Sequence, residues 1–148
     1  MPEPHDAVYR LFDHGVRPIL AVAETPREIR RALIAYDGTM DSANAMKQFV
    51  QMGLWREIEL DVVSFDKPEE EAARLLDEAV DYCAAHGHET RMHRAVGPFR
   101  RRLFPLAEEL ADDVVVLGNA PAGLLDRFMG GSLLWAIRHA DRPLFLTH

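Results

Sequence analysis

From residue 32 onward, short β-type runs alternate with longer stretches of helical periodicity, and no other feature constrains this chain so strongly. The runs are Ala32 to Asp37 (ALIAYD), Ile58 to Phe65 (IELDVVSF), Thr90 to Val96 (TRMHRAV), Val114 to Leu117 (VVVL) and Pro143 to Thr147 (PLFLT). Strands joined through helices pair in parallel, so the pattern predicts an α/β fold built from βα units. The unbroken VVVL run, with no polar alternation, predicts a central strand covered on both faces.

The stretches between the runs carry helical spacing. Asp41 to Met52 places Ala45, Met46, Phe49 and Val50 on one face, with Asp41 or Ser42 as N-cap. Pro68 to Ala85 opens with proline and three glutamates, which suit a helix N-terminus. Its stripe of Ala72, Leu75, Leu76, Ala79, Val80 and Cys83 ends near Gly87. Phe99 to Ala111 turns Leu103, Phe104, Leu106 and Leu110 inward, with Pro105 kinking it or shifting its start. Ser132 to His139 forms a fourth helix, capped by Ser132 and followed by Pro143. Right-handed crossovers wind such a chain into a doubly wound sheet, whose ligands sit beyond the carboxyl ends of the strands where the winding reverses. Asp37 and Gly118 end the two strands expected to flank that point.

Composition narrows the function classes. At 148 residues the chain matches one domain with one core. A formal charge of -7, from 17 basic and 24 acidic residues, argues against nucleic acid as a partner. The single Cys83 excludes an internal disulfide and a Cys-based zinc site, and reads as a small buried hydrophobe. No apolar run approaches the roughly 20 residues of a membrane helix, and the first residues lack the basic region of a signal peptide, so a cytoplasmic location away from membranes is expected.

The first residues stand outside the βα scheme but echo its end. Ala7 to Val22 (AVYRLFDHGVRPILAV) parallels Leu133 to Thr147 (LLWAIRHADRPLFLT), with Arg17-Pro18 opposite Arg142-Pro143 and His14 opposite His139. Residues 1–24 therefore read as a helix–strand extension, the end of a vanished sister domain, and residues 25–148 as the α/β domain. Antiparallel pairing of Pro18 to Val22 with Pro143 to Thr147 covers an otherwise bare edge strand. The connecting residues reach about 25–30 Å at roughly 3.3 Å each, enough to cross two or three strand spacings of about 4.8 Å.

One constellation carries ligand chemistry. Gly118-Asn119-Ala120-Pro121, followed by nine residues and then Gly131-Ser132, leaves a strand and opens a helix. Small residues let backbone N–H groups approach a phosphate, and the helix N-terminus adds a favourable dipole. With these residues in place the chain resembles the universal stress protein family over Arg31 to His148. Ala35-Tyr36-Asp37-Gly38-Thr39 resembles the family's first strand ending in Asp-Gly-Ser, and Gly97 its glycine before the third helix. Asp112, Asp113, Gly118, Gly131 and Ser132 fill the Ala-Asp-hydrophobic strand and its Gly-x2-Gly-x9-Gly-[Ser/Thr] loop. His139-Ala140 and Pro143 to Leu146 fill the family's helix end and last strand.

The resemblance implies a five-stranded parallel sheet of order 3-2-1-4-5, with the extra N-terminal strand antiparallel to the last. It also implies ATP or another adenine nucleotide, with Mg accompanying it, at the junction of the first and fourth strands. Asp37 then meets the ribose or adenine end, Ala35 and Phe65 line the base, and Gly118, Gly131 and Ser132 meet ribose and phosphates. It implies a homodimer through the last strand, a place that Pro18 to Val22 takes within one chain or across swapped ones. The function implied is a stress-response domain that binds adenine nucleotide without dedicated catalysis. Pro121 departs from the pattern, since it replaces the loop's second glycine and removes an N–H donor. The alternative is a nucleotide-independent interaction module of the same fold, in which Asp37 merely organises a βα turn and Gly130-Gly131-Ser132 is a loop and helix N-cap.

Other chemistries fit less well. Asp37 to Ser42 is similar to the Ser-Gly-Gly-x-Asp-Ser loop of ATP pyrophosphatases but lacks its first serine and second glycine. Neither Lys47 nor Lys67 follows a glycine-rich loop, which excludes a Walker A motif. His86, His88 and His93 lack a carboxylate pattern and read as solvated, and Arg100-Arg101-Arg102 reads as a solvated helix face.

Overall fold

The computed structural model describes residues 18–22, 27–118 and 131–147. Within them the chain runs β1 (Ile19–Ala21), β2 (Arg31–Ala35), α1 (Met40–Met52), β3 (Glu59–Phe65), α2 (Glu69–Ala85), β4 (Thr90–Ala95), α3 (Phe99–Glu109), β5 (Val114–Gly118), α4 (Gly131–His139) and β6 (Leu144–Thr147). The sheet has the order β1-β6-β5-β2-β3-β4. Strands β2 to β6 are mutually parallel, and β1 lies antiparallel on β6, with Leu20 opposite Phe145.

Period-two alternation along the strands divides the core between two faces. Ala32, Ile34, Leu60, Val62, Val114, Val116 and Phe145 face α1 and α2, through Ala45, Met46, Phe49, Leu75, Leu76 and Ala79. Leu33, Val63, Ala95, Val115, Leu117, Leu144 and Leu146 face α3 and α4, through Leu103, Leu106, Ala107 and Ala136. Val114 to Leu117 are buried on both faces, and Cys83 packs in the α1–α2 layer as a small apolar group. Because α1 and α2 lie on one face and α3 and α4 on the other, the winding reverses between the adjacent strands β2 and β5.

Several expected boundaries are corrected. Thr39, not Asp41 or Ser42, caps α1: its backbone is extended and its hydroxyl accepts from the Ser42 N–H, which leaves Asp41 and Ser42 inside the first turn. Strand β2 ends at Ala35, so Asp37 lies in the turn beyond it. Helix α3 ends at Glu109 with Pro105 inside it, and Phe104 and Leu110 are half-buried. Helix α4 begins at Gly131, so Ser132 is a helical residue rather than its cap. The expected helix of the N-terminal extension and the loop carrying Pro121 lie outside the described residues. Among the described residues, no helix is long and apolar enough to cross a membrane, and no three His, Cys, Asp or Glu side chains are placed to hold a metal ion.

Candidate functional site

The turn after β2 is organised by Asp37. Its Oδ1 accepts from the Thr39 backbone N–H at 3.0 Å and from the Thr39 hydroxyl at 2.6 Å, while its own N–H donates to Ser42 Oγ. Burial opposes ionisation of the half-buried carboxyl, but hydrogen bonds with Thr39 and Ser42 and the positive charge of Lys67 outweigh it. The group titrates below its ordinary range and is a carboxylate at neutral pH. Gly38 follows with φ +80°, a backbone conformation that calls for glycine, beneath the tip of the Leu75 side chain of α2.

The end of β5 closes onto the start of α1. A Cβ on Gly118 would lie 2.2 Å from the Asp41 carbonyl oxygen and 2.9 Å from the Ser42 nitrogen. The glycine thus lets the first turn of α1 reach the switch point, and the Asp37 turn and the β5 terminus converge there. In register with Gly118 on β6 is Thr147, whose buried hydroxyl has no partner among the described residues.

Ala35 and Phe65 share the opposite face of the sheet, where both are partly buried against the α3–α4 core. Phe65 meets Phe99 of α3 edge to face at 5.4 Å between ring centres, and Phe99 meets Trp135 of α4 at 5.7 Å. Gly131 and Ser132 start α4 one turn before Trp135, so an aromatic run connects the side chains expected at the base to the helix expected at the phosphates. The structure therefore sets Asp37 and Gly118 each against the first turn of α1 and Ala35 and Phe65 on one face, with α4 attached through Trp135.

A second polar cluster lies outside this site and was missed in the sequence. Asp61 points from β3 into the α3–α4 side of the sheet with no exposed surface, and accepts from Arg91 Nε at 2.6 Å, Arg91 Nη2 at 2.9 Å and His93 Nε2 at 2.9 Å. Burial raises its titration, but the bonds from His93 and Arg91 reverse that effect and hold it well below the usual carboxylate range. The available signal was a charged residue between Leu60 and Val62 in a run that must be buried.

The sequence matches no protein-family model and no curated protein. The likeness to known proteins lies in the fold, which is that of the universal stress proteins. A universal stress protein in complex with cAMP superposes with a TM-score of 0.68 at 20% identity, over 80% of this chain and 97% of that one. A universal stress protein from Archaeoglobus fulgidus gives a TM-score of 0.70 at 19% identity, over 89% of this chain and 50% of that one. A family protein from Arabidopsis thaliana with AMP bound gives 0.61 at 12% identity, over 80% and 90%.

Proposed function

We propose that this chain is a universal stress protein-like domain of the cytoplasm that binds ATP or another adenine nucleotide beyond the carboxyl ends of β2 and β5, without dedicated catalysis. The observation that carries the reading is the convergence of the Asp37 turn, the first turn of α1 and the Gly118 end of β5 at the point where the winding reverses. Structures of the same fold hold cAMP and AMP, which supports the ligand class. In this reading the ionised Asp37 accepts from ribose hydroxyls through the oxygen it does not spend on Thr39. Ala35 and Phe65 border the base, and Gly118, Gly131 and Ser132 present backbone to ribose and phosphates. A carboxylate that titrates this low is a weak general base, which is why no hydrolytic role is assigned to Asp37.

A nucleotide-independent module of the same fold is favoured by one observation: contacts within the chain already account for both Asp37 and Gly118, through Thr39 and through Asp41. The two readings separate on ligand content. Denaturing freshly purified full-length protein and weighing what is released yields an adenine nucleotide under the first reading and none under the second. The substitution Pro121→Gly strengthens nucleotide retention under the first and leaves it unchanged under the second. Under both, β1 takes the edge of β6 that would otherwise pair with a second copy. Deleting residues 1–24 then moves the elution volume toward a larger assembly, and an unchanged volume contradicts that role.

A further inference from the structure

The two edges of the sheet end differently. Strand β1 covers β6, whereas β4, at the other edge, pairs with β3 alone among the described residues. Alternate peptide groups of β4 therefore turn outward with no partner strand to meet them. Ala95 belongs to the α3–α4 core and Arg91 and His93 bond Asp61, so Met92 and Arg94 lie on the face toward α2. Met92 is 51% exposed, and Val96, one residue past the strand, is 66% exposed. At the amino end of this edge a cleft of about 600 Å³ opens between β4 and α2, lined by Val80, Ala84, His88, Thr90 and Arg91.

The carboxyl end of the same edge gathers cations. Arg94 donates from Nε to the Lys67 carbonyl at 3.2 Å, and the stem of Arg102 lies over Gly97, where a Cβ would stand 3.5 Å from Arg102 Cγ. Arg101 precedes it in the first turn of α3, a turn that holds no acidic residue. Elsewhere Arg27, Arg30, Arg31, Arg74, Arg91 and Arg142 each hold a carboxylate. No carboxylate of the described residues lies within ion-pair distance of Lys67, Arg94, Arg101 or Arg102. Cations in the first turn of a helix oppose its dipole, so the stability of α3 does not account for this cluster in a chain of net charge -7.

We propose that the β4 edge is a docking site for an extended acidic segment of a partner protein, which adds to the sheet as a further strand. Its peptide groups meet the outward ones of β4, its apolar side chains cover Met92 and Val96, and its carboxylates meet Lys67, Arg94, Arg101 and Arg102. A second copy of this chain is not the occupant, because two paired β4 strands would set Arg91, His93 and Arg94 of one against the same residues of the other. Charges that guard the edge against its own kind select an acidic strand.

Nuclear magnetic resonance of the nitrogen-15-labelled full chain, titrated with a decapeptide of alternating valine and glutamate, tests the proposal, with the lysine-for-glutamate peptide as control. Amide shifts confined to Thr90 to Val96 and the start of α3, slowed hydrogen exchange along β4 and no response to the lysine peptide are expected. The double variant Arg94→Glu, Arg101→Glu changes two exposed side chains and binds the glutamate peptide at least about tenfold more weakly. If the variant does not fold, the wild-type titration decides alone. No shifts at millimolar glutamate peptide, shifts elsewhere on the molecule, or equal affinity in the folded variant overturns the proposal. Saturation by oligothymidylate at lower concentration than the glutamate peptide also overturns it, and makes the patch a nucleic-acid site.

Discussion

Asp37 and Asp112 stand at opposite ends of the neighbouring strands β2 and β5, and burial works against ionisation of both, yet their titrations move in opposite directions. The difference lies in the donors within reach. Asp37 has the Thr39 N–H and hydroxyl, Ser42 and the charge of Lys67, whereas no donor among the described residues reaches the Asp112 carboxyl and the Asp61 charge opposes its ionisation. Burial therefore does not set the charge of a carboxyl by itself; it multiplies the effect of whatever its neighbours supply. One end of the sheet keeps a half-buried carboxylate at the switch point, and the other encloses a carboxyl with no exposed surface, whose titration burial raises.

The largest expected effect belongs to the sealed end. Asp61→Ala removes three charge-assisted bonds and leaves Arg91 and His93 without their buried acceptor, costing about 3 kcal/mol of stability in urea unfolding. A cost equal to that of Asp37→Ala would erase the distinction between the two ends. Gly118→Ala drives a Cβ into the Asp41 carbonyl at the open end and costs about 2 kcal/mol. Thr39→Ala removes the α1 cap and one Asp37 bond together, for about 1 kcal/mol.

The smallest effect is a difference in pH response. Asp37 is depressed in the folded state, so its contribution is present above the ordinary aspartate range and lost as pH falls through its lowered value. Asp112 is raised, so its contribution is complete below that range and lost as pH climbs toward about 9. Removing Asp37 thus flattens the acid limb of the stability profile and leaves the alkaline limb intact, which thermal melts at pH 3, 6 and 9 resolve.

The architecture was legible because it follows from periodicity. Alternation of strand runs with amphipathic helices set the parallel sheet, and the Arg-Pro echo at Pro18 and Pro143 placed β1 antiparallel on β6. The cap of α1 was misplaced because Thr39, Asp41 and Ser42 are all good cap residues within four positions, and only the extended backbone at Thr39 selects one. Of the candidate site, Asp37 and Gly118 were expected to flank the switch point, and each adjoins the first turn of α1, Asp37 through Ser42 Oγ and Gly118 beside the Asp41 carbonyl. Their contacts with Thr39 and Asp41 were not legible, since a residue type names its chemistry and not its partner. The Asp61 cluster was out of reach for the same reason: 30 and 32 positions separate Asp61 from Arg91 and His93, and β3 must pair with β4 before they touch.

Calorimetric titration of ATP with Mg into the nucleotide-stripped full chain, repeated with Asp37→Ala, tests the nucleotide reading most directly. The account predicts one ATP per chain, saturating below millimolar concentration, with affinity about tenfold weaker in the variant, the loss of one hydrogen bond to a charged group. No binding at millimolar ATP, or equal affinity with and without the Asp37 carboxylate, contradicts it.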